Sequence, residues 1–311
     1  MPNHFTVHDL PALRSPVLVG AFKGWNDAAE AASSAVSFLV KEWSASHVAS
    51  LDAEEFYDFT QTRPMVRMIG GVYRDIEWPS LDVYAHADEG SGRDLVLLVG
   101  HEPQLRWRTF NDELLALLER LGVSEAVLLG ALLADVPHTR APRLVGSASD
   151  DRLRGQLEGM DISLSRYEGP TGIVGVLQDA CGRRGIPTAS LWGNVPHYIT
   201  ASPNPQVSVA LLRQLDLLLG LGLNVRTLER QARRFRARVD EAIAQSPDAA
   251  AYVRKLEGLE VDEDEGAAPA SPLPTGPEVV RALEEFLREQ QRADGDGEGD
   301  DGNDEYGDED E

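Results

Sequence analysis

The apolar positions of the chain fall into short aliphatic runs that alternate with stretches of helical period. The aliphatic runs are Val17 to Ala21, His47 to Leu51, Leu95 to Gly100, Ala126 to Leu132 and Pro187 to Trp192. Runs of this kind are typical of strands covered on both faces, and apolar residues at helical spacing follow several of them. The alternation predicts an α/β fold with a three-layer core and a mostly parallel sheet.

A different pattern separates the second and third aliphatic runs. Val66 to Ile69 and Val72 to Trp78 are rich in β-prone residues and flank two glycines, which is a hairpin signal. Leu81 to Ala87 adds another short strand. We therefore expect an antiparallel hairpin insertion near residues 66–87, at the edge of the sheet, within a core domain of residues 1–204.

The pattern changes again after residue 204, where helical periodicity and then charged residues dominate. Residues 205–256 have the leucine-rich and amphipathic spacing of C-terminal helices. Acidic residues, alanine and proline make residues 257–275 a predicted linker. Residues 276–292 have the apolar stripe of an amphipathic helix, and residues 293–311 are too polar to form a core, so we expect a disordered acidic tail.

The charge of the chain lies mostly near its C-terminal end. The formal net charge is −23, and residues 294–311 contribute eleven acidic residues with no lysine or arginine. Residues 1–256 carry a net charge of only −5. A mildly acidic body lacks the basic surface that phosphates require, so we expect no nucleic-acid partner.

The cysteine content and the apolar run lengths indicate the compartment. Cys181 is the single cysteine, which excludes an intramolecular disulfide and fits a reducing environment. No apolar run approaches the roughly 20 residues that a membrane-spanning helix needs. The first residues also lack the basic and then apolar pattern of a signal peptide. We therefore expect a cytoplasmic protein without a membrane partner.

The glycine-punctuated turn after the first predicted strand is the first candidate for chemistry. Two glycines permit close backbone approach, the following helix offers free N–H groups, and Lys23 adds a positive charge. This combination could bind a carboxylate or phosphate, although it is not a nucleotide-binding fingerprint. The structural alternative is a tight turn in which Trp25 packs on a neighbour and Asn26 or Asp27 caps the helix.

Four later loops have the same layout, each following a strand or preceding a helix. Glu102 and Arg108 could act as a base and a carboxylate clamp, or could form ordinary salt bridges. Asp135 and His138 could orient one another, but no nucleophile lies beside them. Thr171 could cap a helix or face a cleft. His197 could be catalytic or a hydrogen-bonded loop residue.

Parallel strands would bring these loops to one edge of the sheet, where open α/β folds bind ligands. We therefore expect one candidate pocket but can assign no catalytic residue. We expect no metal, because the acidic runs lack the EF-hand pattern of ligands, and no cofactor. The pocket candidates are Lys23, Trp25, Asn26, Asp27, Glu102, Arg108, Asp135, His138, Thr171 and His197.

Seven ordered motifs resemble the actinobacterial branch of the proteasome assembly chaperone 2 family. They are Gly20–Ala28, Glu54–Asp58, Arg63–Pro64, Glu102–Pro103, Leu129–Arg140, Tyr167–Gly172 and Val195–Tyr198. The resemblance spans about residues 10–256. It implies a core similar to purine nucleoside phosphorylases, a homo-oligomer such as a trimer, and proteasome subunits as partners. It implies no catalytic residues.

Two hypotheses about function follow from these patterns. The first is a non-enzymatic assembly or interaction factor, in which the loops shape an oligomer and a partner surface. The second is an enzyme or small-molecule binder that uses a cleft at the carboxyl ends of the strands. Whether the protein is an enzyme stays open at the level of the sequence.

Overall fold

A computed structural model describes residues 4–70, 73–87 and 92–258, and these residues form a mixed α/β fold. The strands are β1 (Phe5–Val7), β2 (Val17–Lys23), β3 (Ser46–Leu51), β4 (Met65–Ile69), β5 (Tyr73–Glu77), β6 (Leu81–His86), β7 (Leu95–His101), β8 (Glu125–Ala134), β9 (Leu144–Ala148), β10 (Ser163–Leu164) and β11 (Thr188–Pro196). The helices are α1 (Ala31–Glu42), α2 (Trp107–Arg120), α3 (Asp151–Gly159), α4 (Ile173–Arg183), α5 (Pro205–Leu219), α6 (Arg226–Ala244) and α7 (Pro247–Gly258).

Nine strands form the central sheet, in the order β1-β3-β6-β7-β2-β8-β11-β9-β10. The four central strands, β7, β2, β8 and β11, pair in parallel. The strands on the β1 side pair antiparallel, and β9 runs antiparallel to β11. The predicted parallel arrangement therefore describes the centre of the sheet, and both flanks contain antiparallel pairs.

Helices cover both faces of the sheet, which confirms the predicted α/β class. On β2, Val17, Val19 and Ala21 face the layer of α1, α3 and α5, while Leu18 and Phe22 face the layer of α2 and α4. Successive residues of a strand point to opposite faces, so a strand covered twice must be apolar throughout. This is the physical reason for the aliphatic runs in the sequence.

The insertion near residues 66–87 differs from the prediction in one respect. β4 and β5 form an antiparallel hairpin that is a separate two-stranded sheet. β6, however, lies inside the main sheet between β3 and β7 and is not at its edge. Its alternating burial pattern placed it correctly as a strand, but alternation alone does not identify the neighbouring strands.

The C-terminal helices extend the core beyond the sheet. α5 packs in the same layer as α1, and its side chains join the same apolar cluster. α6 and α7 form a separate cluster with Tyr198 and Ile199, which follow β11. α7 continues to Gly258, so it includes the first two residues of the predicted linker. Its remainder, the predicted helix at 276–292 and the predicted tail at 293–311 lie outside the described residues.

Within residues 4–70, 73–87 and 92–258, no helix combines the length and the apolar character that a transmembrane segment needs.

Candidate functional site

The candidate site lies at the carboxyl edge of the parallel strands. β2, β7, β8 and β11 run in the same direction, so the loops that follow them meet at this edge. The segment between β3 and β6 leaves from the same edge, because Leu81 at the start of β6 pairs with Gly100 near the end of β7. We call this region the carboxyl edge.

Asn26 and Glu102 form the centre of a first hydrogen-bonded group, which we call the Asn26 network. The Glu102 carboxylate accepts hydrogen bonds from the Asn26 side-chain amide, at 2.9 Å, and from the Trp25 backbone, at 3.2 Å. The backbone N–H of Ile173, at the start of α4, also donates to it. The backbone carbonyl of Asn26 in turn accepts a hydrogen bond from the backbone N–H of Ala131 on β8. One buried carboxylate therefore links the loops after β2 and β7 to α4.

Burial and hydrogen bonds act in opposite directions on Glu102. Only 8% of this residue is exposed, and its burial raises the pKa of the carboxyl group, while the donated hydrogen bonds partly offset that effect. Two glycines permit the close packing. Gly24 has a φ of +130°, and a Cβ at Gly172 would lie 2.4 Å from the Asn26 side-chain oxygen.

Asp27 has the structural role that the sequence left open. Its carboxylate accepts hydrogen bonds from the backbone N–H groups of Ala32, at 2.7 Å, and Ser33, at 3.2 Å, in the first turn of α1. Unsatisfied N–H groups at a helix start are stabilised by such an acceptor. Burial raises the pKa of Asp27, with the hydrogen bonds acting against it.

The other candidates near the Asn26 network have exposed or half-exposed side chains. The Lys23 ammonium lies 3.4 Å from the Glu30 carboxylate, and both side chains contact solvent. Arg108 lies exposed in the first turn of α2. Thr171 is exposed just before Gly172. Trp25 is 61% exposed, although its backbone belongs to the network. The turn after β2 thus presents an indole ring to solvent.

A second group, the His138 network, joins the loops after β8 and β11 to α6. The Tyr198 hydroxyl lies 2.7 Å from both the backbone nitrogen and Nδ1 of His138, and His138 Nε2 lies 3.0 Å from an Asp240 carboxylate oxygen. With the Tyr198 O–H donating to Nδ1, the imidazole is neutral and donates from Nε2 to Asp240. Burial lowers the pKa of His138, and Asp240 acts against this effect.

His197 and Asp135 extend the same region. His197 Nδ1 lies 3.0 Å from an Asp135 oxygen, and Nε2 lies 3.2 Å from the Tyr252 hydroxyl on α7. The Tyr198 ring packs edge-on against both His197 and Tyr252. Tyrosine and aspartate side chains of the same chain therefore hold both histidines, and α6 and α7 cover them.

The ten candidates do not form a single pocket lining. Hydrogen bonds place Trp25, Asn26 and Glu102 in one group. A second group contains Asp135, His138 and His197. Sequence reasoning missed Tyr198, Asp240 and Tyr252, which complete the second group. Tyr198 lay inside a quoted motif, whereas the residues on α6 and α7 had no signal beyond helical periodicity.

A cleft is present, but its lining differs from the predicted set. It encloses about 430 Å³, part of which is open solvent, between the loop after β8, the end of β11 and the start of α5. Of the ten candidates only His138 lines it. The polar lining residues are His138, Arg140, Arg143, Asn194, Asn204 and Gln206.

Several large apolar side chains are exposed at the carboxyl edge. Trp25 follows β2, Leu105 follows β7, and Leu133 lies near the end of β8; their exposures are 61%, 47% and 49%. We call these three residues the edge surface. The hairpin adds further exposed apolar residues at the same side of the sheet. Among the described large apolar residues that are exposed, Leu217 on α5 lies away from this edge.

Potential metal ligands do not cluster in the part of the chain that the structure describes. No group of three or more histidine, cysteine, aspartate or glutamate residues there could hold a metal ion. At the carboxyl edge, histidine–carboxylate pairs are His138–Asp240 and His197–Asp135, and each of these histidines also lies within hydrogen-bond distance of a tyrosine hydroxyl.

Comparisons with known proteins identify the relatives of this fold. The model of the PAC2 family matches residues 21–243. A PAC2 family protein from Streptomyces avermitilis is 46% identical, with a TM-score of 0.69, and the match covers 76% of this chain and 99% of that one. A Mycobacterium tuberculosis proteasome-assembly chaperone homologue is 43% identical, with the same TM-score and coverage.

A more distant structure shares the fold alone. The Pyrococcus furiosus protein PbaB, an archaeal proteasome activator, is 18% identical with a TM-score of 0.61, and the match covers 76% of this chain and 97% of that one. A comparison with curated proteins found no match. The family model spans most of the described residues, and two relatives exceed 40% identity over nearly their whole length. The chain therefore belongs to the PAC2 family.

Proposed function

We propose that this protein is a non-enzymatic assembly factor that binds proteasome subunits in the cytoplasm and acts as a homo-oligomer. Family membership supports the proposal, because one relative at 43% identity is a proteasome-assembly chaperone homologue. A protein with one cysteine, which is buried, also suits a reducing compartment.

The observation that carries the proposal is the contrast between polar and apolar side chains at the carboxyl edge. The buried ionisable residues there, Glu102, Asp27 and His138, bond to backbone groups or to neighbouring side chains. An enzyme needs ionisable groups that can reach a substrate. The exposed side chains of the edge surface are instead apolar, as in the core of a protein interface.

The edge surface contains one residue of a type that is typical of binding hot spots, Trp25. An exposed tryptophan is the residue type most enriched at such positions, and Leu105 and Leu133 follow or end neighbouring strands. Leu133 lies on β8, and backbone hydrogen bonds hold Trp25 to Glu102 and Leu105 to Phe56, so a partner would meet a preorganised surface. We assign the docking of a proteasome subunit to Trp25, Leu105 and Leu133.

A reconstitution experiment tests this assignment. The full chain is mixed with separately purified 20S proteasome subunits, and complex formation and assembly rate are followed by native electrophoresis. We expect wild-type protein to bind and accelerate assembly, and Leu133→Ser to weaken binding at least tenfold. Leu217→Ser is the matched control, because it removes an exposed leucine from α5 and should leave binding unchanged.

Two results would contradict the proposal. One is an absence of binding by the wild-type chain at low ionic strength. The other is an equal loss of binding in Leu133→Ser and Leu217→Ser, which would show that the effect of removing an exposed leucine does not depend on its position in the edge surface. The Trp25→Ser variant provides a second test of the same surface, because the Asn26 network uses only the backbone of this residue.

A further inference from the structure

Helix α6 concentrates positive charge in a chain whose formal net charge is −23. Residues 226–238 of this helix contain six arginines and a single glutamate. The sign of this segment is therefore opposite to that of the whole chain, which makes it a candidate surface for an anionic partner.

Four of these arginines lie on the side of α6 that faces away from the protein. The helix buries Leu228, Phe235, Val239 and Ile243, which follow the helical period along one side. The exposed arginines of the opposite side are Arg226, Arg230, Arg233 and Arg234. We call these four residues the arginine face.

Two acidic residues of α6 flank the arginine face in sequence and have partners of their own. The Glu229 carboxylate pairs with an arginine of α5 at 2.7 Å, and an Asp240 oxygen lies 3.0 Å from His138. Arg230 donates a hydrogen bond to the neutral hydroxyl of Thr227 at 3.1 Å. Among the residues that the structure describes, no carboxylate lies within ion-pair distance of the arginine face.

The geometry of α6 makes this accumulation of charge unfavourable in the absence of an anion. Arg230 lies four residues from both Arg226 and Arg234, and like charges at this helical spacing repel. Arg226 is also the first residue of the helix, where the helix dipole is positive, and the N-cap residue Val225 makes no side-chain cap hydrogen bond. A polyanion bound along the first turns would relieve both effects.

The C-terminal end of the same sequence is an anion long enough to cover this face. Residues 294–311 contain eleven acidic residues and no lysine or arginine. The arginine face extends from Arg226 to Arg234, which is about 12 Å along the helix axis. Four or five extended residues already span that length. Charge complementarity therefore favours this acidic segment as the occupant.

The connection between the two segments is also long enough. α7 packs against α6, and near its end the Glu257 carboxylate lies 2.6 Å from the Thr139 hydroxyl. The preceding residue, His138, bonds to Asp240 on α6, so the described chain ends beside this helix. Residues 259–293 then supply 35 residues, and an extended chain of that length spans about 115 Å. The acidic segment can therefore reach all of α6, which is about 28 Å long.

We propose that residues 294–311 bind the arginine face of α6 in the same chain. Guanidinium and carboxylate groups form paired, charge-assisted hydrogen bonds, and the covalent connection raises the effective concentration of the acidic segment at the helix. The contact covers the basic surface of α6 against other polyanions. The arginine face shares no residue with the edge surface, so the inference goes beyond the proposed function.

Competition with a free peptide tests this contact. The probe is a fluorescent peptide with the sequence of residues 294–311, and anisotropy at low ionic strength measures its affinity for the full chain. The comparison is a full-length neutral variant, in which every acidic residue of 294–311 is replaced by the corresponding amide. We expect the neutral variant to bind the peptide at least tenfold more tightly than the wild type, because the acidic segment of the wild type occupies the site. Added salt should weaken this binding.

A matched pair of double substitutions in the neutral variant locates the site. Arg230→Gln with Arg233→Gln should weaken peptide binding at least tenfold. Arg108→Gln with Arg120→Gln removes the same charge from exposed arginines of α2, which have no ion pair among the described residues, and should leave binding unchanged. All four side chains are exposed, so we expect both proteins to fold.

Cross-linking of the full chain tests whether the contact lies within one molecule. Cys181 is the single native cysteine and is buried, so two introduced thiols react only with each other. With Gly302→Cys in the acidic segment, Ala237→Cys, an exposed position one turn beyond Arg233, should form a disulfide within the chain at low ionic strength. Ala116→Cys, at an exposed alanine of α2, is the matched control and should not form one.

The inference is overturned if the wild type and the neutral variant bind the peptide equally, or if the two arginine double variants behave alike. Its choice of occupant is wrong if amides at the acidic positions of residues 260–265 release the peptide site while amides in 294–311 do not. A disulfide that joins two chains would contradict the assignment to the same chain. None of these outcomes depends on proteasome binding, which the reconstitution measures at the edge surface.

Discussion

The two hydrogen-bonded networks at the carboxyl edge have similar chemistry but different surroundings. In the His138 network, α6 and α7 cover the tyrosine and histidine side chains. In the Asn26 network, a buried carboxylate accepts a hydrogen bond from the backbone of Trp25, whose side chain is exposed. The helices α6 and α7 thus cover the His138 network, whereas the Trp25 side chain beside the Asn26 network is exposed.

Both networks bond their central polar groups to other parts of the fold. Glu102 and His138 are both buried, and each lies at the centre of its network. Neither needs a ligand to be satisfied. The exposed Trp25 side chain lies beside the Asn26 network, and the proposed function assigns this side chain, with Leu105 and Leu133, to a partner.

The largest effect is expected from Glu102→Ala in the Asn26 network. This change removes the acceptor of three or more hydrogen bonds and leaves buried donors unpaired, so we expect a loss of about 3 kcal/mol in the free energy of unfolding. Urea denaturation measures it. Glu55→Ala, which breaks the solvent-exposed pair with Arg106, should cost no more than about 1 kcal/mol.

Equal losses in these two variants would show that the buried carboxylate has no special structural role. That result would return Glu102 to the list of residues available for chemistry.

A smaller effect is expected from Tyr198→Phe in the His138 network. The hydroxyl bonds to both the backbone nitrogen and Nδ1 of His138, and Tyr198 is only 1% exposed. Leaving these groups unpaired should cost about 2 kcal/mol. Thermal and urea unfolding provide the measurement. The comparison is Tyr252→Phe, where the lost bond to His197 is partly exposed and should cost less than about 1 kcal/mol.

If Tyr252→Phe lowered the free energy of unfolding as much as Tyr198→Phe, the stability of the His138 network would depend on contacts with α7 more than on the buried Tyr198 hydroxyl.

The smallest effect concerns the pH dependence of the stability that the His138 network contributes. Because burial lowers the folded-state pKa of His138, the unfolded chain binds this proton more readily, and stability falls as the pH drops below about 6.5. Asp240 favours the protonated ring, so Asp240→Asn should lower the pKa of His138 further. Nuclear magnetic resonance titration of the imidazole measures this shift.

Glu241→Gln is the matched control for Asp240→Asn, because it neutralises the adjacent exposed carboxylate on α6. An unchanged pKa of His138 in Asp240→Asn, or an equal change in both variants, would contradict the assigned contact.

The sequence predicted the core of the fold because burial imposes a pattern on it. β2 and β7 are aliphatic over most of their length since helices cover both faces, and the loops follow at the positions expected. The place of β6 within the sheet was not predictable. A half-buried alternation fits an interior strand of a mixed sheet as well as it fits an edge.

The site was less predictable, because its bonds join residues that are distant along the chain. Asn26 and Glu102 are 76 residues apart, and His138 and Asp240 are 102 residues apart. No local pattern marks such pairs. Asp240 has the sequence context of a surface charge on an amphipathic helix. Leu133 ends an apolar run, and only the structure shows that it lies half exposed in water.

The covering of Tyr198 by α6 and α7 also has a consequence during synthesis. Tyr198 and Ile199 leave the ribosome before Phe235, Val239 and Val253, the residues that bury them. At typical elongation rates of about 5–20 residues per second, the last of these helices follows several seconds later. During that interval the nascent chain exposes apolar surface next to the loops after β8 and β11. We therefore expect translation speed and cellular chaperones to influence how much of this protein reaches its native state.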